Sequence, residues 1–252
     1  MKHSKRIVIV LVEGRSDREA LQNIISALFD ECYNGLFNVE FIEEREDITS
    51  KKGIIPRCIE QWISNDYIVP FLNRNYLSPD DVQQVIQLTD LDGAYIDENL
   101  IVEDLSLQNT QYNPNGIVAK NKNDIAKRNA NKRKNLDYLV QCDKFKLYSN
   151  GQVKEIPYKV FYFASNLDHF LYGIANLDDV KKVSNAVAFA QETSPSDFEE
   201  MVSDGGAFKD YVARNQSYQD SWEHIRKSTN SLGRFSNINI LIDKILDGSF
   251  VD

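Results

Sequence analysis

The sequence predicts an α/β fold: a mostly parallel sheet flanked by helices, with its working residues at the carboxyl ends of the strands and a helical portion at the C-terminus. Three observations predict it. Two apolar, β-branched runs, residues 8–12 and 85–88, each lead to acids beside a glycine, Glu13-Gly14 and Asp90-Leu91-Asp92-Gly93. Runs of this kind are what parallel strands buried on both faces require. A third apolar run covers residues 159–164, and segments of helical periodicity lie between the runs.

Taken in order, the first strand is followed by Ser16 and Glu19 at capping-box spacing, and Leu21, Ile24, Ile25, Leu28 and Phe29 recur on one face. A helix over residues 17–31 is expected. Asp17 falls in its first turn, where either the helix dipole or a metal ion accounts for it. Residues 38–42 alternate as a second strand. Glu43, Glu44, Glu46 and Asp47 then form an acidic run, read first as a solvated loop, with metal binding as the lesser alternative. Residues 56–72 read as a helix with Ile59, Trp62 and Ile63 inward, Trp62 being core rather than a stacking platform. Ser78-Pro79-Asp80-Asp81 has the cap, first-position proline and first-turn acids of a short helix start that leads into the strand ending at Asp90.

Residues 95–115 are polar and irregular, and residues 124–140 can form a helix carrying the basic cluster, with Asn129, Asn131 and Asn135 as its weak helix formers. After the third apolar run, Asn166 is placed to cap a helix with Asp168 and His169 in its first turn. His169 is either a phosphate-binding general acid or, more often for a lone histidine, structural. Beyond Asn176, short helices are expected over residues 180–190, 197–202, 210–215 and 221–227. A turn at 231–234 then precedes an amphipathic helix over 237–246, with Ile238, Leu241, Ile242 and Ile245 inward.

The chemistry follows from strand adjacency. If the strands ending at Glu13 and Asp90 are neighbours, Glu13, Asp90 and Asp92 share one small space, where carboxylates repel unless a divalent cation lies between them. Mg²⁺ or Mn²⁺ is therefore implied. The alternative for Glu13 is a salt-bridged loop acid. For Asp92-Gly93 it is an ordinary turn, which Gly93 would permit but which does not require Asp90.

The chain has 252 residues, 42% of them hydrophobic, with a formal net charge of −9. It is long enough for one large domain or two small ones. Cys32, Cys58 and Cys142 are odd in number and without C-x-x-C spacing, which argues against a disulfide framework or a zinc site. The first apolar run is too short for a leader or a membrane span, so a cytoplasmic location is expected. The acidic balance disfavours general polyanion binding, but Lys120, Lys122, Lys127, Arg128, Lys132, Arg133 and Lys134 concentrate positive charge in one segment, either a phosphate-contacting surface or a solvated face. Walker A, G-x-S-x-G and glycine-rich dinucleotide signatures are absent.

Glu13-Gly14 after a strand, Asp17 opening the next helix, and Asp90-x-Asp92-Gly93 after a later strand together resemble the Toprim domain of topoisomerases, bacterial primases and the overcoming-lysogenization-defect nucleases. The resemblance covers the first hundred residues and the strand near Phe161. It implies a Toprim-like metal-binding catalytic domain over residues 1–175, a basic insertion around 95–150 and a helical extension over 176–252. The implied activity is a metal-dependent nuclease acting on DNA or RNA. Glu13, Asp90 and Asp92 would be catalytic, and Asp17 and Asp168 would complete the Mg²⁺ or Mn²⁺ coordination, although glutamate is more usual at the last position. Lys127, Arg128, Lys132, Arg133 and Lys134 would position the nucleic acid. Small Toprim nucleases act in phage defence and abortive infection beside a separate partner ATPase, and a homo-oligomer is compatible with this. A topoisomerase or primase would need further domains. A non-catalytic Toprim-derived binding protein and a small-molecule phosphotransfer enzyme are the alternatives.

Overall fold

The structure is a computed structural model that describes residues 6–44 and 46–249. Residues 1–5, part of the N-terminal segment weighed against a leader, lie outside the described residues. No helix among the described residues is long and apolar enough to cross a membrane.

The fold is α/β, built on a five-stranded sheet of the described residues in the order β2-β1-β3-β8-β7. Strands β1 (Ile7–Val12), β2 (Asn38–Glu43), β3 (Val82–Asp90) and β8 (Gln152–Phe163) run parallel, and β7 (Lys144–Ser149) pairs antiparallel with β8. Every β1 residue is buried because both sheet faces are covered. Ile7, Ile9 and Leu11 join one core with Ile59, Ile63, Leu136 and Trp222; Val8, Val10 and Val12 join the other with Leu21, Ile25, Leu241 and Ile242. The C-terminal helices thus share a core with the first strand.

Helix α1 (Arg15–Tyr33) starts two residues before the expected point. Its N-terminus is closed not by Ser16 and Glu19 but by Asp17, whose Oδ2 accepts from the Gly14 N–H at 3.0 Å; Glu19 pairs with Arg15 instead. The expected helix over 56–72 is α2 (Pro56–Ile63), a π turn (Ser64–Ile68) and α3 (Val69–Arg74). Pro70 cannot donate an intrahelical hydrogen bond, which accounts for the widened turn just before it. Ile59 and Ile63 are buried, but Trp62 is 41% exposed beneath the Lys51 ammonium, contrary to its reading as core.

Residues 95–115 are less irregular than their composition suggests. Strands β4 (Ile101–Glu103), β5 (Gln111–Asn113) and β6 (Gly116–Ala119) make a small second sheet in the order β4-β6-β5. Their three or four residues each are too few to show a period. Helix α4 (Lys122–Leu139) follows, capped by Asn121. Strand β7 belongs to the main sheet, so the excursion from that sheet closes before residue 144. The β7–β8 turn is Asn150-Gly151, both with positive φ, as a tight hairpin of this handedness requires.

Asn166 caps α5 (Leu167–Tyr172) by accepting from the His169 N–H at 2.8 Å. Helices α6 (Asp179–Glu192), α7 (Pro195–Val202), α8 (Tyr218–Ile225) and α9 (Ile238–Leu246) follow. The helix expected over 210–215 is only a 3₁₀ turn at Lys209–Tyr211. Beyond it the backbone bridges Ser236, which also bridges Phe163, so hydrogen bonding to the end of β8 replaces helix formation.

Candidate metal centre

Parallel strands point their carboxyl ends the same way, so the loops after β1, β2 and β3 gather at one edge. β1 lies between β2 and β3, which brings Glu13, the acidic run after β2 and the Asp90–Gly93 turn together. Asp92 and Gly93 both adopt positive φ, 49° and 67°. The turn is tied to β8 and beyond by Asp92 N–H donating to Ser165 O at 2.9 Å and Gly93 N–H donating to Ser231 O at 3.1 Å.

Glu13 is oriented through one oxygen. Its Oε1 accepts from the Thr89 hydroxyl, from Asp90 N–H at 3.1 Å and from Lys132 Nζ at 3.2 Å. Asp90 uses Oδ1 to accept from Leu167 N–H at 3.0 Å. Asp92 uses Oδ2 toward Lys132 at 3.1 Å, and Asp17 uses Oδ2 toward Gly14. The second oxygen of each of these four acids takes no hydrogen bond among the described residues. Asp168 is buried at the start of α5 and acts on Asp17 through space.

Burial raises the Glu13 carboxyl well above the ordinary range, reinforced by Asp47 and Asp92 and opposed by Lys132. Burial pushes Asp17 up to about 7, with Asp168 adding to it. Asp90 is raised in the same way, first by burial and then by Asp17, Glu13 and Asp92. Desolvation leads each of these shifts, and repulsion from neighbouring acids adds to it.

The structure brings Glu13, Asp90, Asp92 and Asp17 to one edge, but among the described residues the one group of three acids with oxygens within 4.8 Å of one another is Glu13, Asp47 and Asp92. Asp47 therefore is not the solvated acid first expected. Neither is Glu44, which is buried: its Oε2 accepts from Ile48 N–H at 3.3 Å and its Oε1 from Gln87 Nε2 at 3.3 Å. Burial, with Asp47 adding to it, raises Glu44 to about 8. An acidic run directly after a strand adjacent to β1 was the signal for these residues, but which of the acids turns inward depends on loop conformation.

The basic residues divide. Lys132 is fully buried and bridges Glu13, Asp47 at 2.9 Å and Asp92. Arg128 donates to Asp92 O at 3.0 Å and to the Tyr112 hydroxyl at 2.7 Å, and Arg133 donates to Ile96 O at 3.4 Å. Lys127 and Lys134 are exposed. Burial holds the His169 imidazole below its usual value, and its Nδ1 has no hydrogen-bond partner among the described residues.

Asp90 and Asp92 open onto a cleft of about 620 Å³ whose other walls include Tyr112, Asn166, Asn176 and Lys182. An oxygen-only donor set of partly buried acids suits a hard divalent cation. No family model, curated protein or solved structure matches the chain.

Proposed function

We propose that the chain is a nuclease that hydrolyses phosphodiester bonds with Mg²⁺ or Mn²⁺ at the carboxyl ends of β1 and β3. One observation carries the proposal: Glu13, Asp17, Asp90 and Asp92 each have one carboxylate oxygen fixed by a protein donor and a second that takes none among the described residues. Capping acids elsewhere, such as Asp81, Asp197 and Asp220, also engage one oxygen, but each stands at the end of its own helix, whereas these four converge on one sheet edge. A bound divalent ion supplies Lewis-acid activation of water and neutralises charge on the leaving oxygen.

The protein's own contribution is orientation. Thr89 and the Asp90 amide lock Glu13, and the Leu167 amide locks Asp90. The ligands are thus held in place before any substrate arrives. In this reading the polynucleotide backbone would lie in the cleft beside Asp90 and Asp92, with Lys182 in its wall and exposed Lys127 and Lys134 on α4 as further charge for phosphates.

The test is incubation of the purified chain with Mg²⁺ or Mn²⁺ and a panel of single- and double-stranded DNA, transfer RNA, other RNA and mononucleotides. Polymer cleavage that stops on adding chelator is expected. Turnover of mononucleotides alone would reassign the site to small phosphate esters.

A further inference from the structure

We infer that Lys132 is an internal counter-cation that fills the Glu13–Asp47–Asp92 part of the acidic edge and excludes a divalent ion from it. The inference goes beyond the metal-site reading above and does not depend on it.

The spacing of Glu13, Asp47 and Asp92 would by itself admit an ion, since their nearest oxygens lie within 4.8 Å of one another. Lys132 Nζ already lies among them, at 2.9 Å from Asp47, 3.1 Å from Asp92 and 3.2 Å from Glu13, with its side chain 0% exposed. An ammonium has three protons, one for each of these acids. The three partners hold it charged against the cost of its burial.

Helix α4 delivers this side chain and holds it there. Asn129, three residues before, donates to Gly93 O at 3.2 Å, and Asn135, three residues after, donates to Thr49 O at 2.8 Å. The helix is thereby fastened to the two loops that carry Asp92 and Asp47. Moving α4 away to release Lys132 would leave these buried amides and carbonyls unpaired.

Both oxygens of Asp47 already have protein partners. Its Oδ1 accepts from Thr49 N–H at 2.9 Å, from Ser50 N–H at 3.3 Å and from the Thr49 hydroxyl, while Oδ2 faces Lys132. It is the partner of the lysine. Glu13 and Asp92 give the lysine one oxygen each and keep the other. Asp90 has no hydrogen bond or ion pair with Lys132 and lines the cleft. Lys132 is thus a positioning residue: it orients Glu13 and Asp92 and closes the position an ion among the three acids would take.

The experiment counts ions. Mn²⁺ is titrated into the full chain and into Lys132→Met, with unbound Mn²⁺ read by electron paramagnetic resonance. The variant should bind one ion more than the parent, and its melting temperature, lower than the parent's without metal, should recover on adding Mn²⁺. An unchanged count overturns the inference. Lys132→Gln, whose amide keeps a donor for Asp92, gives the same comparison if the methionine variant does not fold. Failure of both to fold at millimolar Mn²⁺ also overturns it, because the ion should replace the lost charge. The parent's own count tests the proposed function separately: no ion in the parent with one in the variants upholds the role of Lys132 and removes the metal-nuclease reading.

Discussion

Glu13 and Asp90 are joined through a peptide: the Asp90 N–H donates to Glu13 Oε1 at 3.1 Å, so the acid ending one strand is held by the backbone of the acid ending the next. The two residues are 77 apart in sequence, and the contact exists because β1 and β3 are hydrogen-bonded parallel neighbours. A carboxylate fixed this way spends little entropy when it engages a ligand.

Asp90→Ala and Asp92→Ala are expected to lower cleavage by about a thousandfold or more, the scale of losing a principal charge-stabilising group. Circular dichroism should show an intact fold, since neither side chain fills the apolar core. Activity surviving in the double variant would rule out this site.

Charge relief should be visible at Asp90. Its folded-state pKa lies above the unfolded value, so its contribution to stability is lost as pH rises through the folded pKa. Asp90→Asn keeps an oxygen for the Leu167 amide while removing the charge. Without metal, this variant should melt above the parent at alkaline pH, with the gap closing in acid. Asp92→Asn, which takes a partner from buried Lys132, should gain less. Equal or lower melting of Asp90→Asn at pH 9 would count against the repulsion.

Glu44 gives a second pH-dependent signature, outside the proposed ligand set. Its pKa of about 8 in the fold exceeds the ordinary carboxylate value, so stability is fully present below the unfolded value and declines as pH rises toward about 8. Glu44→Gln mimics the neutral acid, and the Gln87 amide, bonded to the Tyr158 hydroxyl, can flip to meet it. The variant should exceed the parent in denaturant stability at pH 8.5, by up to a few kcal/mol, and match it near pH 4.5. A pH-independent difference would mean that Glu44 ionises normally.

Lys127→Gln with Lys134→Gln should weaken binding of an oligonucleotide and reduce the slope of log affinity against log salt by roughly one to two. A slope unchanged in the double variant would return this surface to a solvated helix face.

Much of the sheet was legible in the residues alone. A strand buried on both faces must be largely apolar, so residues 8–12, 85–88 and 159–164 announced β1, β3 and β8, and the acids after the first two marked the edge where Glu13 and Asp90 meet. Amphipathic periodicity likewise announced α1 and α9. The short strands β4, β5 and β6 and the edge strand β7 escaped because three to six residues carry little periodic signal.

What sequence order could not determine is which charges face one another. Lys132 reads as one member of a basic run, and Asp47 as one member of an acidic run, yet the two pair at 2.9 Å beneath the surface while Lys127 and Lys134 remain outside. A helix turns 100° per residue, so neighbours in a charge run point to different environments. The environment each receives is set by where α4 docks on the loops after β2 and β3, through Asn129 and Asn135. Local patterning determined the strands and the acids at their ends; tertiary packing alone decided which acids Lys132 would neutralise and which would keep an oxygen for a ligand.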